Sequence, residues 1–207
     1  MKLTLVAAIA FLTPSCCEGT RPYGRTLTYN CPVRDGHVDY SQFNPVHDGL
    51  RVNTITSLAF QTKGKNDAHI LLQNNNNDFE YKVVEIVIGG WGNTLSVIRN
   101  KQQGEALCKN EGHVLSSSSL QWFWVSWNGG CVKVGKGPNV GGSQIMQWCG
   151  LNFSINGIRF SYGFGSGGTY LIPLPENSPP RHDSSKTSKS SRYRRDTEES
   201  EESEDRQ

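Results

Sequence analysis

An all-β chain, folded as a jelly-roll-like antiparallel β-sandwich, is what this sequence predicts, and three observations carry the expectation. Short runs rich in β-branched and aromatic residues recur from Leu50 onward. Turn formers separate them at 74–78, Gly89-Gly90, Asn128-Gly129-Gly130 and Gly141-Gly142. No segment carries a convincing apolar stripe at helical spacing for three turns, so the helices that a parallel sheet needs for its crossovers are not in evidence.

The strands are expected, in order, at 52–61, 69–73, 81–88, 95–99, 121–127, 131–134, 144–148 and 155–162. The Asn-Gly-Gly break at 128–130 is a strong hairpin signal, because Asn and Gly tolerate the positive φ of tight antiparallel turns. Within 121–127, Trp122, Trp124 and Ser126 fall on one face and Phe123, Val125 and Trp127 on the other. Both faces are therefore apolar, which predicts a central strand. In 81–88 the residues Val84, Ile86 and Ile88 share one face, opposite Val83, Glu85 and Val87.

The ends of the chain read differently. Lys2, the apolar run 3–12 and the small or polar Thr13, Ser15 and Gly19 have the layout of a secretory signal peptide over 1–19. The run is shorter than the roughly 20 residues a membrane-spanning helix needs. A soluble, secreted, extracellular product is expected. At the other end, six Lys or Arg oppose one Asp over 181–195, and seven Asp or Glu oppose one Arg over 196–207. Ser- and Pro-rich charge blocks bury too little apolar surface to fold. The folded domain is expected over 21–172, with a disordered tail over 173–207.

Cysteine use fits export. Cys16 and Cys17 lie at the expected cleavage site, leaving Cys31, Cys108, Cys131 and Cys149. An even number predicts two disulfides, with three pairings open. No Cys-x-x-Cys pair occurs and the histidines are scattered, so no metal site is expected. Asn152-Phe153-Ser154 is an N-glycosylation sequon. Arg192, Arg194 and Arg195, before Asp196, form a furin-type processing motif in accessible chain.

Chemistry-bearing constellations are few. A nucleotide-type cofactor calls for a glycine-rich loop opening a helix, and the candidates are 134–138 and 163–168. The second is followed by Pro173, Pro175, Pro179 and Pro180, so no helix opens there and no cofactor is expected. No catalytic constellation appears. Trp91, between Gly90 and Gly92 and followed by Asn93 and Thr94, stands out as a ring beside amide and hydroxyl groups. Such a set stacks on a sugar while its neighbours hydrogen-bond, or folds inward as a plug. Asp67 and His69, two apart and so on one face of a strand, are weaker ligand candidates. Without a basic stripe interleaved with aromatics, nucleic-acid binding is not expected.

The segments DAHI at 67–70, IGGWGNT at 88–94, SVIR at 96–99, FWVSW at 123–127 and VGKG at 134–137 resemble those of the farnesoic acid O-methyltransferase domain family. The resemblance covers roughly 54–170. It implies, on the family's name, S-adenosylmethionine-dependent methylation of farnesoic acid, a step toward juvenile-hormone precursors. It also implies kinship with exported animal proteins carrying such domains. The residues themselves favour a non-catalytic recognition module for an extracellular glycan or protein surface, with Trp91, Asn93, Thr94, Asp67 and His69 as its ligand contacts. A third reading is a matrix or secretion component whose acidic tail binds cations. A shallow stacking site is weak singly, so clustering of copies, in a homo-oligomer for instance, is the expected route to avidity.

Overall fold

The computed structural model describes residues 23–175 and Ser178. The expected signal segment 1–19 and the processing motif at Arg192, Arg194 and Arg195 lie outside the described residues. Among the described residues, eleven strands form two antiparallel sheets. The first sheet has the order β1-β11-β2-β7-β8-β9, from Tyr23–Arg34, Ser166–Pro175, Ser57–Gly64, Gln121–Asn128, Cys131–Lys136 and Gln144–Cys149. The second has the order β10-β3-β4-β5-β6, from Gly157–Tyr162, Ala68–Gln73, Val83–Gly89, Leu95–Arg99 and Cys108–Glu111. The chain is an antiparallel β-sandwich, jelly-roll-like, as its turn-punctuated runs predict.

Inward faces of the two sheets make the core. Phe60, Phe123, Val125, Trp127, Tyr170 and Ile172 of the first sheet meet Ile70, Val84, Ile86, Ile88, Ile98 and Phe160 of the second. The period-2 alternation in β4 and β7 sends these side chains inward together. Central placement of β7, between β2 and β8, also agrees with its two apolar faces.

The second sheet is covered on its outer face as well. Segment 35–49 crosses it, and Val38 and Tyr40 pack with Leu71, Val83 and Phe79 there. All residues of β3, β4 and β10 are consequently buried, including His69, Gln73, Glu85, Arg159 and Ser161. A sheet face that the sequence presents as half polar is thus an interior, and its polar side chains must find partners within it.

Several expectations need correcting. Residues Val52–Thr54 form a 3-10 turn, closed by a Thr54 hydroxyl bond to the Arg51 carbonyl, so β2 starts only at Ser57. Strands β1, β6 and β11 are additional. Residues 173–175 are not tail: Pro173 and Leu174 are opposite Thr26 and Arg25 of β1, and Leu174 is buried. Pairing with β2 stops at Leu171, so the prolines, which have no N–H to donate, meet no ladder on that side.

The disulfide expectation also changes. Cys131 and Cys149 are bonded, facing each other across β8 and β9 with Cα atoms 4.0 Å apart. Cys31 and Cys108 are free thiols instead of a second pair. Cys31 is on β1, which packs across on β10, and Cys108 is on β6, which packs across on β9, so the two occupy opposite ends of the sandwich. A disulfide needs Cα atoms within about 7 Å. Burial pushes the Cys31 thiol up to about 12, leaving it protonated and inert. Alkylation in denaturant without reductant should label Cys31 and Cys108 and spare Cys131 and Cys149; mass spectrometry showing label on either of the latter pair would contradict the assignment.

Candidate functional site

The β4–β5 hairpin closes through an unusual turn. Gly89, Trp91, Gly92 and Asn93 all have positive φ, and Thr94 N–H donates to the Gly90 carbonyl at 3.0 Å. This is a turn of left-handed hand, which costs L-residues roughly 1–2 kcal/mol each. Glycine removes that cost at 89 and 92, and a Cβ at Gly89 would lie 2.5 Å from Asn93 Oδ1. Asn93 offsets its share with three hydrogen bonds: its amide donates to the Leu115 carbonyl, and Oδ1 accepts from the Val114 and Leu115 N–H groups. Trp91 has no such compensation and is 53% exposed.

Beside this turn is a cleft of about 360 Å³, lined by Asp67, Val87, Trp91, Arg99, Gln103 and Phe164. Four of these six, Asp67, Trp91, Gln103 and Phe164, are non-glycine residues at φ between 51° and 56°. For bulky side chains such backbone is a genuine outlier, and outliers of this kind gather at ligand clamps. Phe164 comes from the β10–β11 turn, held by N–H bonds from Phe164 to Gly36 O and from Gly165 to Arg34 O. It is 49% exposed and packs 5.9 Å from the His69 ring.

Beneath the cleft lies Glu85, a fully buried carboxylate. Tyr40 OH donates to its Oε1 at 2.8 Å, while Arg99 Nη1 and Gln103 N–H donate to Oε2, each at 2.8 Å. His69 Nδ1 lies 3.5 Å from Oε1. Burial alone would raise the Glu85 pKa; the His69, Arg99 and Gln103 interactions outweigh it and hold it at about 2. Burial, and then the Glu85 charge, push the Tyr40 hydroxyl well above its ordinary value, so it stays a donor. Arg99 also lays its guanidinium 5.3 Å from the Trp91 ring centroid. Glu85 therefore ties four separate segments to the cleft floor.

Some polar atoms here have no partner. His69 Nε2 and Arg99 Nε are buried and make no hydrogen bond among the described residues. Asp67 is bonded by the Asn66 amide at Oδ2, whereas Oδ1 accepts no hydrogen bond from any described residue.

Of the residues singled out from sequence, Asp67 and Trp91 line the cleft and His69 lies under its Phe164 wall. Asn93 is buried, and three of its four side-chain hydrogen-bonding positions anchor residues 114–115. Thr94 is exposed, outside the cleft lining, and its hydroxyl donates to the Trp91 carbonyl. Sequence reasoning missed Phe164, Gln103, Tyr40 and the role of Glu85. A lone carboxylate within Val83-Val84-Glu85-Ile86-Val87-Ile88 was the available signal, since acidic residues are almost never fully buried unless paired. Asn152, the sequon residue, is exposed between β9 and β10.

Fold and site together define a β-sandwich with a strained, aromatic-walled cleft on the outer face of one sheet. The chain belongs to the family described as Farnesoic acid 0-methyl transferase, whose model matches residues 34–176. A relative named Uncharacterized protein 5, from Haliotis asinina, is 37% identical over 115 residues, covering 53% of this chain and 64% of the relative. The match thus spans less than two thirds of that relative. Solved structures of similar shape include a native glycosidic hydrolase, at TM-score 0.42 and 10% identity over 77% of this chain and 82% of that one. Another is the carbohydrate-binding module CBM40 of a Ruminococcus gnavus sialidase bound to α2,3 sialyllactose, at 0.41 and 9% over 75% and 94%. At such scores they say nothing about what the cleft holds.

A methyl transferase implies S-adenosylmethionine, and the glycine-rich segments do not fit it. A Cβ on Gly135 would lie 2.4 Å from the Trp124 ring, and one on Gly168 would lie 2.4 Å from Tyr162 and Lys63 O. The backbone faces at Gly135 and Gly168 are thus filled by this chain's own atoms; a Cβ on Gly137 would meet nothing within 4 Å, but both segments lead into strands, not into a helix that could receive such a cofactor. Among the described residues no group of three or more His, Cys, Asp or Glu could hold a metal ion, and no helix is long and apolar enough to cross a membrane.

Proposed function

We propose that this chain is a secreted recognition module whose cleft binds a sugar ring of an extracellular glycan. The observation that carries the proposal is the pairing of two half-exposed rings, Trp91 and Phe164, over a polar floor at strained backbone positions. Sugars offer an apolar face for stacking and a rim of hydroxyls for hydrogen bonds, which matches a site of this composition. Export is part of the proposal, and the Cys131–Cys149 bond supports it, since disulfides persist in oxidising compartments.

The test is a glycan array probed with wild type and Trp91→Ala, with melting measured in parallel. Loss of a central aromatic anchor costs about 2 kcal/mol or more, roughly 30-fold in affinity, enough to erase a weak signal. The Trp91 ring is half-exposed while the Arg99 side chain is largely buried, so their contact is worth about 0.5–2 kcal/mol and Tm should fall by no more than about 8 °C. Unfolding of the variant would instead make Trp91 a structural plug. A second reading, methylation of farnesoic acid, is favoured by the family match. Turnover of farnesoic acid with S-adenosylmethionine by the wild type would establish it and displace the recognition reading.

A further inference from the structure

We propose that the cleft selects uncharged or amine-bearing sugar rings and excludes those carrying a carboxylate or sulfate. This deepens the glycan reading of the same site and rests on it. Arg99 is the one cation among the six lining residues, and it is already committed: Nη1 pairs with Glu85 and the guanidinium lies on Trp91. Against it stand two carboxylates, Glu85 directly beneath and Asp67 in the lining. The rim by Phe164 adds no free cation from the segment that anchors it, since Arg34 pairs with Asp39 at 3.2 Å and Asp35 lies beside Gly165. An anion entering would meet an excess of negative charge in a partly desolvated site, where charge interactions are stronger than in water.

One accessible atom calls for the same ligand chemistry. Asp67 Oδ1 accepts no hydrogen bond from any described residue and can only accept, so it favours a donor on the ligand, whereas Arg99 Nε is closed off from the cleft and takes no part. A hydroxyl or an ammonium serves Asp67, whereas a carboxylate or sulfate offers it nothing. The Gln103 side-chain amide, exposed and without a bond among the described residues, presents a donor and an acceptor for either. Shape alone would admit a sugar acid; charge and hydrogen-bond polarity turn it away.

Immobilised hexoses of gluco, galacto and manno configuration, each presented as the neutral sugar, the 2-amino sugar and the uronic acid, make the test. In the configuration that binds, the neutral and amino forms should bind at least about tenfold more tightly than the uronic acid, or 1.4 kcal/mol. Asp67→Asn should narrow that gap severalfold. Asn tolerates the positive φ at this position, so folding, checked by melting, is expected to survive. If the variant does not fold, the same narrowing is read from the wild type as salt is raised. A uronic acid bound as tightly as its neutral partner, or a gap indifferent to both Asp67→Asn and salt, overturns the charge selection while leaving the glycan reading in place. Binding to none of the sugars overturns both.

Discussion

Replacing Glu85 with alanine lowers the stability of this domain by about 3–5 kcal/mol, the cost of removing one partner from a buried ion pair. The Arg99 guanidinium loses its carboxylate, and the buried Tyr40 hydroxyl and part-buried Gln103 N–H lose their acceptor. Glu85→Gln keeps the shape and should cost less, because an amide oxygen can still accept one or two of those bonds. Acid titration separates charge from shape. With its folded pKa near 2 and its ordinary value at 4.5, Glu85 contributes fully above about pH 4.5, and that contribution is lost as pH falls through 4.5 toward 2. Other depressed carboxylates such as Asp39 titrate in the same window, so the measurement is wild type minus Glu85→Gln. The wild type should lose about 3 kcal/mol more than the variant between pH 5 and 2. Parallel titration curves would show that Glu85 is not held ionised.

Trp124→Ala should cost about 3–5 kcal/mol in denaturant unfolding, the range for emptying a large buried aromatic site. Trp124 is fully buried, yet it is not in the core between the sheets. It lies on the outer face of β7, flat against Gly135 of β8, and its Nε1 donates to the Gly142 carbonyl at 2.7 Å. The β8–β9 hairpin folds over the ring, so the variant loses the packing and leaves that loop without its anchor. A cost below about 1 kcal/mol would mean that the loop collapses onto the gap. Gly135→Ala probes the same contact from the other side, because its methyl group would overlap the indole.

How much of this was legible in the sequence follows from whether the deciding interaction is local. The face assignment of Val84, Ile86 and Ile88, and the central place of β7, are local consequences of alternation, and they hold. The β1–β11 pair is non-local, joining residues such as Leu27 and Ile172. Its strands carry Pro32, Gly167, Gly168, Pro173 and Pro175, which read as turns and tail until a partner strand is known. The site shows the same division. Trp91 could be read from its glycine-flanked loop and Asp67 from its neighbours. Phe164, 73 positions beyond Trp91 along the chain, joins them only through folding, and Asn93 becomes structural only because residues 114–115 arrive beside it. Glu85 read as one polar residue on an outer sheet face, because nothing in β4 announces that segment 35–49 will cover it.

The disulfide also has a bearing on the company this protein keeps. Strand β9 is the last in its sheet, so one side of its backbone has no neighbour there. Such an edge can template the addition of a strand from another molecule. The bond joins residues directly opposite each other, Cys131 and Cys149, and so fixes the pairing of β9. A slip of one residue would turn Met146 out of the core and Gln147 into it. Reduction would release that lock, so in a reducing milieu the register of β9 would rest on its hydrogen bonds and on the burial of Met146.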